Sequence, residues 1–316
     1  MVATDMYEVS HTVIFMTTTH LDHINHSNGF ATRWTTWENE GLPNNLAARL
    51  RAIGTYSESA VALLIELTDE LEANLTKWSP AGAVDRFICS TDDWTERLNR
   101  WACVRALECL DRLPCSPLPR PQWCPPEPNL RRRTFTDVEI GLVRHCSLGA
   151  ATRAGAVGAL DAGAASGELH GLTPTEVRRD DRGAPTHLEG KGTVRDVPFG
   201  YPTAAARTLE IPAWAGTAFA TLVAHTEPTE LLLYSGNSNE NPKIQSSILM
   251  GVKKVLTQAG LGDDPTVKPI SIRNTAARRV YESGGIEAAA RFLGHDDWMS
   301  VAKEIGIRKH LSARKR

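Results

Sequence analysis

Two short stretches, Lys268-Pro-Ile-Ser-Ile-Arg-Asn-Thr275 and Phe292-Leu-Gly-His295, decide how this chain is read. Helical character begins at about residue 270, which places Arg273 and Tyr281 on one helix, eight residues apart. Leu293-Gly294-His295 reads as a helix end with a capping glycine, the residue that enters the left-handed region without steric cost. Arg273 has Glu282 and Asp297 as candidate ion-pair partners.

Working outward toward the amino terminus, helical patterns occupy roughly 240–259, 212–224 and 203–208. Thr186–Glu189 and Thr193–Phe199 read as two short strands, with Gly190-Lys191-Gly192 as the turn between them. On its own, that turn is equally well a plain hairpin with an exposed lysine. Ala150–Gly163 is helical, and Thr136 or Asp137 caps a helix running toward Cys146. Between 114 and 133 seven prolines interrupt any periodic pattern, as in a semi-rigid spacer. The spacer ends on Arg131, Arg132 and Arg133, which read either as a contact to a polyanion or as a solvated charge cluster. Before it, Thr55 with Glu58 forms a capping box, followed by Val61, Leu64, Ile65, Leu71 and Leu75 at helical spacing. Ser90–Asp93 starts a further helix with Trp94, Leu98, Trp101 and Val104 along one face. The fold class expected is mainly α with a small β-sheet. Residues 1–113 form a helical domain whose first thirty residues are irregular, 114–133 a linker, and 134–316 a mixed domain.

The composition, 41% hydrophobic and 23% charged, is that of a soluble globular chain. No apolar run reaches the roughly 18 residues that span a bilayer. The amino terminus lacks a basic stretch followed by an apolar one, so a cytoplasmic location is expected. The six cysteines are then reduced. Cys103, Cys109, Cys115 and Cys124 lack the paired spacing of structural zinc ligands. His20, His23 and His26 recur every third residue, but in a polar terminus where a metal site is not expected. Charge is unevenly spread: residues 1–100 carry 14 acidic and 7 basic side chains, residues 101–316 carry 23 and 28. A basic carboxy-terminal half suits a polyanionic partner. An acidic amino-terminal domain does not.

The order of these motifs resembles the tyrosine recombinases, the phage integrase family, over about residues 134–316. Arg133-Thr-Phe-Thr-Asp-Val-Glu-Ile140 resembles the opening of that family's catalytic domain, and Leu160–Leu172 its first arginine box. Glu189–Phe199 resembles the hairpin that carries the catalytic lysine. Lys268–Thr275 falls at the His-x-x-Arg box and Phe292–His295 at Leu-Gly-His. The resemblance implies a core-binding-like helical domain ahead of an α+β catalytic-like domain. In that family a tyrosine oxygen attacks a DNA phosphodiester, and converging cations stabilise the charge that grows on the phosphate oxygens.

Carried over residue by residue, Lys191 matches the lysine, Arg273 the box arginine and His295 the second histidine. Ala165 stands where the first arginine is expected, Ile270 where the box histidine is expected, and Glu304 at the nucleophilic tyrosine. No neighbour in sequence replaces the guanidinium missing at Ala165, since Arg153 is about three helical turns away. A carboxylate at 304 would repel a phosphate by about 4 kcal/mol at 4 Å and an effective dielectric near 20. No tyrosine follows Tyr281.

The expectation is therefore a DNA-binding protein of recombination, integration or mobile-element regulation that does not cut strands. Lys191, Arg273 and His295 would be its phosphate contacts. No cofactor, metal, membrane or small-molecule substrate is expected. The partners are double-stranded DNA on the nucleoid, and an intact recombinase or a second copy of the chain. Two alternatives remain open. One is an active recombinase with a rebuilt site around Tyr281, although that ring more naturally packs in a core. The other is a protein–protein module that has abandoned DNA, with the basic carboxy-terminal tail a phosphate-binding or merely charged end.

Overall fold

The computed structural model describes residues 45–78, 80–110, 132–192 and 205–307. The histidine triplet at 20–26, the spacer up to Arg131 with Cys115 and Cys124, the strand expected at Thr193–Phe199 and the basic tail from Arg308 lie outside the described residues. The chain divides into two compact units, residues 1–46 with 64–123 and residues 47–63 with 124–316.

The helices of the amino-terminal half are α1 (Leu46–Ile53), α2 (Glu58–Leu75), α3 (Pro80–Cys89) and α4 (Trp94–Leu110). In the first unit Leu64, Leu71, Phe87, Leu98, Trp101 and Val104 are buried. This apolar face gives the helices their stability, since short helices are marginal alone. Asp93 caps α4 by accepting from the Glu96 amide at 2.8 Å. Cys103 is buried on α4 and burial pushes its thiol up to about 12, which leaves it inert at neutral pH. The capping box expected at Thr55 is not formed. Ser57 Oγ accepts from the Ala60 amide instead, Glu58 pairs with Arg51, and Thr55 Oγ1 is buried without a partner.

In the second unit, α5 (Asp137–Ser147) begins at a full capping box between Thr136 and Glu139. Next come α6 (Ala151–Asp161), short 3₁₀ turns, and an antiparallel sheet of β1 (Val177–Arg179), β2 (Pro185–Gly190) and β3 (Arg207–Glu210) in that spatial order. The chain closes with α7 (Gly216–His225), α8 (Asn241–Gln258), α9 (Ile270–Leu293) and α10 (Trp298–Glu304). Gly285, at φ 76°, breaks α9 into two helical pieces. The fold is mainly α with one small sheet, and among the described residues no helix is long and apolar enough to cross a membrane.

One strand departs from the sequence reading. Residues 203–208 were expected to be helical, whereas Arg207–Glu210 pairs with β2 in the register Gly190↔Arg207 and Leu188↔Leu209. Alternation accounts for it: Leu209 is buried while Thr208 and Glu210 are exposed, which is a period of two.

Helix α6 is the hub of the unit, packing against α5, α7, α8 and α9. Its sequence, Ala-Thr-Arg-Ala-Gly-Ala-Val-Gly-Ala-Leu-Asp, explains how one helix touches so many others. A Cβ on Gly155 would lie 2.6 Å from Leu222, and one on Gly158 would lie 2.7 Å from Ala215. Both contacts are impossible for a larger residue without moving a neighbour.

Arg133 is neither a solvated charge nor part of an exposed basic run. It is buried, donating to Glu139 at 2.6 Å and to Asp264 at 2.8 Å, so it ties the start of α5 to the loop before α9. Glu139 in turn accepts from the Thr136 amide. Replacing Arg133 with Met strands two buried carboxylates. We expect urea unfolding to show a loss of about 3–5 kcal/mol; a loss below about 1 kcal/mol, the scale of a surface pair, would contradict the network's role.

Candidate functional site

The site forms around one backbone carbonyl. After α6 the chain turns at Gly163, where a φ of +99° and the Phe292 ring, which a Cβ would meet at 2.9 Å, both require glycine. Its carbonyl oxygen accepts from Arg273 Nε at 3.0 Å and from an Arg207 terminal nitrogen at 2.6 Å. Arg273 comes from the first turn of α9 and Arg207 from β3. Two guanidinium groups therefore meet beside Ala165, where the sequence offered none. The sequence reading found no neighbour to supply the guanidinium missing at Ala165, and the second one here is brought from a distance. Arg207 was hidden because strand β3, not a segment next to Ala165 in sequence, carries it in.

Arg273 is 2% exposed. Its second donor group binds the Leu293 carbonyl at 2.7 Å, and its remaining nitrogen lies 3.6 Å from Glu304 Oε2. Burial pushes this guanidinium down to about 10, with Glu304 opposing the shift, so it stays charged at neutral pH. Neither Glu282 nor Asp297 is its counter-ion. Glu282 pairs with Arg278, and Asp297 caps α10 by accepting from the Met299 and Ser300 amides.

His295 follows the capping glycine at Gly294 (φ 67°), and its amide donates to the Ala290 carbonyl at 2.9 Å. Its Nε2 lies 3.7 Å from the same Glu304 oxygen. Glu304 is held in place by Asn274, whose side-chain amide donates to the Glu304 carbonyl at 3.0 Å, and by the apolar cluster of Leu293, Val301, Ala302 and Ile305. Burial alone would raise the Glu304 carboxyl. His295, Arg273 and Arg132 outweigh that effect, and the group sits below the usual carboxylate range. His295 Nε2 and Glu304 Oε2 are both buried without a hydrogen-bond partner, since 3.6–3.7 Å is too long for one.

The other cations are also compensated. Arg207 forms an ion pair with the buried Glu168 at 3.1 Å, and Glu168 also accepts from the Ala165 and Gly192 amides. Lys191, exposed at the end of β2, pairs with Glu176 at 2.5 Å. Arg273, His295 and Glu304 are thus in mutual reach. Among the described residues, Lys191 is linked to them through its neighbour Gly192, whose amide donates to Glu168, and on through Arg207 to Gly163. Ile270 sits one turn ahead of Arg273 on α9 and is half-buried. Tyr281 packs against the apolar cluster of α9 and α10.

No family model and no curated protein sequence matches the chain. Its structure is similar to those of a recombinase and two integrases. They are XerA recombinase (TM-score 0.45, 15% identity, 86% of this chain and 99% of that one), a lambda integrase dimer bound to a COC' core site (0.41, 11%, 80% and 73%), and the Tn1549 transposon integrase in complex with transposon right end DNA (0.37, 14%, 79% and 92%).

Because Glu304 is depressed in the folded chain, its ion contacts stabilise the protein above the unfolded carboxyl pKa and are lost as pH falls through the folded one. Thermal melts from about pH 7 down to pH 3 should show Glu304→Gln losing less stability on acidification than the parent. Parallel curves would mean that the carboxylate is not electrostatically coupled to Arg273 and His295.

Proposed function

We propose that this chain is a DNA-binding protein of the tyrosine-recombinase type that acts in DNA recombination or integration, or in regulating a mobile element, without cutting strands. The observation that carries the reading is the position of Glu304. At the position that the resemblance assigns to the family's nucleophile stands a carboxylate, 3.6 Å from Arg273 and 3.7 Å from His295. A carboxylate there supplies the negative charge that a phosphate would otherwise bring, and it forms no stable phosphodiester intermediate. Arg207 restores a second guanidinium, but Glu168 neutralises it. The cluster keeps cations of the family type while holding them in internal pairs.

Duplex DNA is the nucleic-acid partner we propose. An intact recombinase or a second copy of the chain is the protein partner we propose, with residues 1–113 a helical companion domain joined through 114–133. Lys191, Arg273 and His295 are the proposed phosphate contacts, reached when Glu304 yields its place. One observation favours the alternative of a protein-interaction module: each of Lys191, Arg207 and Arg273 already has its own carboxylate.

Nicked suicide substrates should yield no covalent protein–DNA adduct, read as a band that survives denaturation. An adduct abolished by Tyr281→Phe would establish a rebuilt nucleophile instead. In gel-shift titrations, Glu304→Gln should bind duplex DNA about tenfold tighter than the parent, a gain of about 1.4 kcal/mol. Unchanged affinity would remove this pocket from the DNA contact and favour the protein-interaction reading.

A further inference from the structure

A second cationic surface lies in the same unit, at the opposite end of α6 from Gly163, a separation of about 16 Å for a helix of this length. There α6 packs against α8. Together they line an open groove of about 480 Å³ with Arg153, Met250, Lys253, Lys254, Thr257 and Gln258. Arg153 also borders an adjoining cavity of about 350 Å³, which presents the side chains of Thr152, Tyr234, Ser235 and Ser247. None of the lining residues of either cavity is acidic.

The contrast with the first site is one of compensation. Lys191, Arg207 and Arg273 each face a carboxylate, whereas among the described residues no ion pair involves Arg153, Lys253 or Lys254. Arg153 reaches only the Gln258 side-chain oxygen, at 3.3 Å. Helix α8 has no acidic residue in its 18 positions, and the one acid of α6, Asp161, is held by Arg144 and Trp214 at its far end. Lys253 and Lys254 are exposed, as are Thr257 and Gln258. Three uncompensated cations, with no carboxylate among the lining residues to repel an anion, are the chemistry that engages a phosphodiester backbone.

Resting on the DNA-binding reading above, we propose that the α6–α8 groove is a phosphate-backbone contact for duplex DNA, separate from the Arg273 cluster. It carries affinity and positioning and reads no sequence. An acidic protein segment would meet the same charges, but one guanidinium beside two ammonium groups is suited to the regularly repeated charge of a nucleic-acid strand.

The test compares the full-length parent with the triple variant Arg153→Ala, Lys253→Ala, Lys254→Ala in gel-shift titrations over a range of salt. Lys253 and Lys254 are exposed and Arg153 half-buried, and an unchanged melting temperature establishes that the variant is folded. We expect at least a tenfold loss of affinity and a fall of about two to three in the slope of log affinity against log salt. If the parent binds duplex DNA and the triple variant matches it in affinity and slope, the groove proposal is overturned while the DNA-binding reading stands. If the parent binds no duplex DNA at all, both fall. Poly-glutamate that binds the parent more tightly than duplex DNA, with the preference lost in the triple variant, would also overturn the proposal.

Discussion

A guanidinium that is 2% exposed must find its counter-charge inside the fold, and Arg273 sets that condition for the carboxy-terminal unit. Its fixed hydrogen bonds go to two carbonyls, Gly163 at the end of α6 and Leu293 at the end of α9. Those bonds neutralise no charge, and leaving the cation unpaired would be costly. Glu304 provides the negative charge, and the short helix α10 exists in a place that delivers it. Asp297 caps that helix, Asn274 holds its last carbonyl, and Val301 and Ala302 seat it against α9. The elements around the cluster are arranged by one buried charge and the anion it needs.

This arrangement has a chemical consequence. A pocket that stabilises a transferring phosphate needs preorganised cations with unspent charge. Here the charge of each cation is already met by Glu168, Glu176 or Glu304. Displacing Glu304 exposes Arg273 and His295 to an incoming anion only at the cost of their internal pairing. The α6–α8 groove is opposite in character, with basic side chains facing solvent and no carboxylate among its lining residues. One unit thus holds a self-compensated cluster and an uncompensated cationic face.

Much of this was legible in the sequence for definite physical reasons. The helix start at Thr136 or Asp137, where Thr136 proves to be the cap, the glycine end of α9 at Gly294 and the strand at Thr186–Glu189 are local signals, and each formed where local chemistry placed it. Arg273, His295 and Glu304 were singled out by resemblance to the family's boxes, and the first turn of α9, the residue after its glycine cap and the end of α10 bring them together. What escaped depends on tertiary pairing. Arg207 reaches Gly163 only because β3 joins β2, across a stretch of chain whose order in space no local pattern reveals. Arg133 looked like a surface charge because its partners are six residues ahead and far downstream, at Glu139 and Asp264. Thr55 lost its capping role to Ser57, two residues later, where Oγ reaches the Ala60 amide.

Whether Glu304 serves as the internal counter-ion of Arg273 is read most directly from a double-mutant cycle of Glu304→Gln and Arg273→Met, measured as unfolding free energy at neutral pH. Each single change leaves one buried charge without its opposite, so the double variant should recover part of the combined loss. A favourable coupling of about 1–3 kcal/mol is predicted. Additive losses, with coupling within about 0.3–0.5 kcal/mol of zero, would show that the two groups do not depend on each other and would contradict this account.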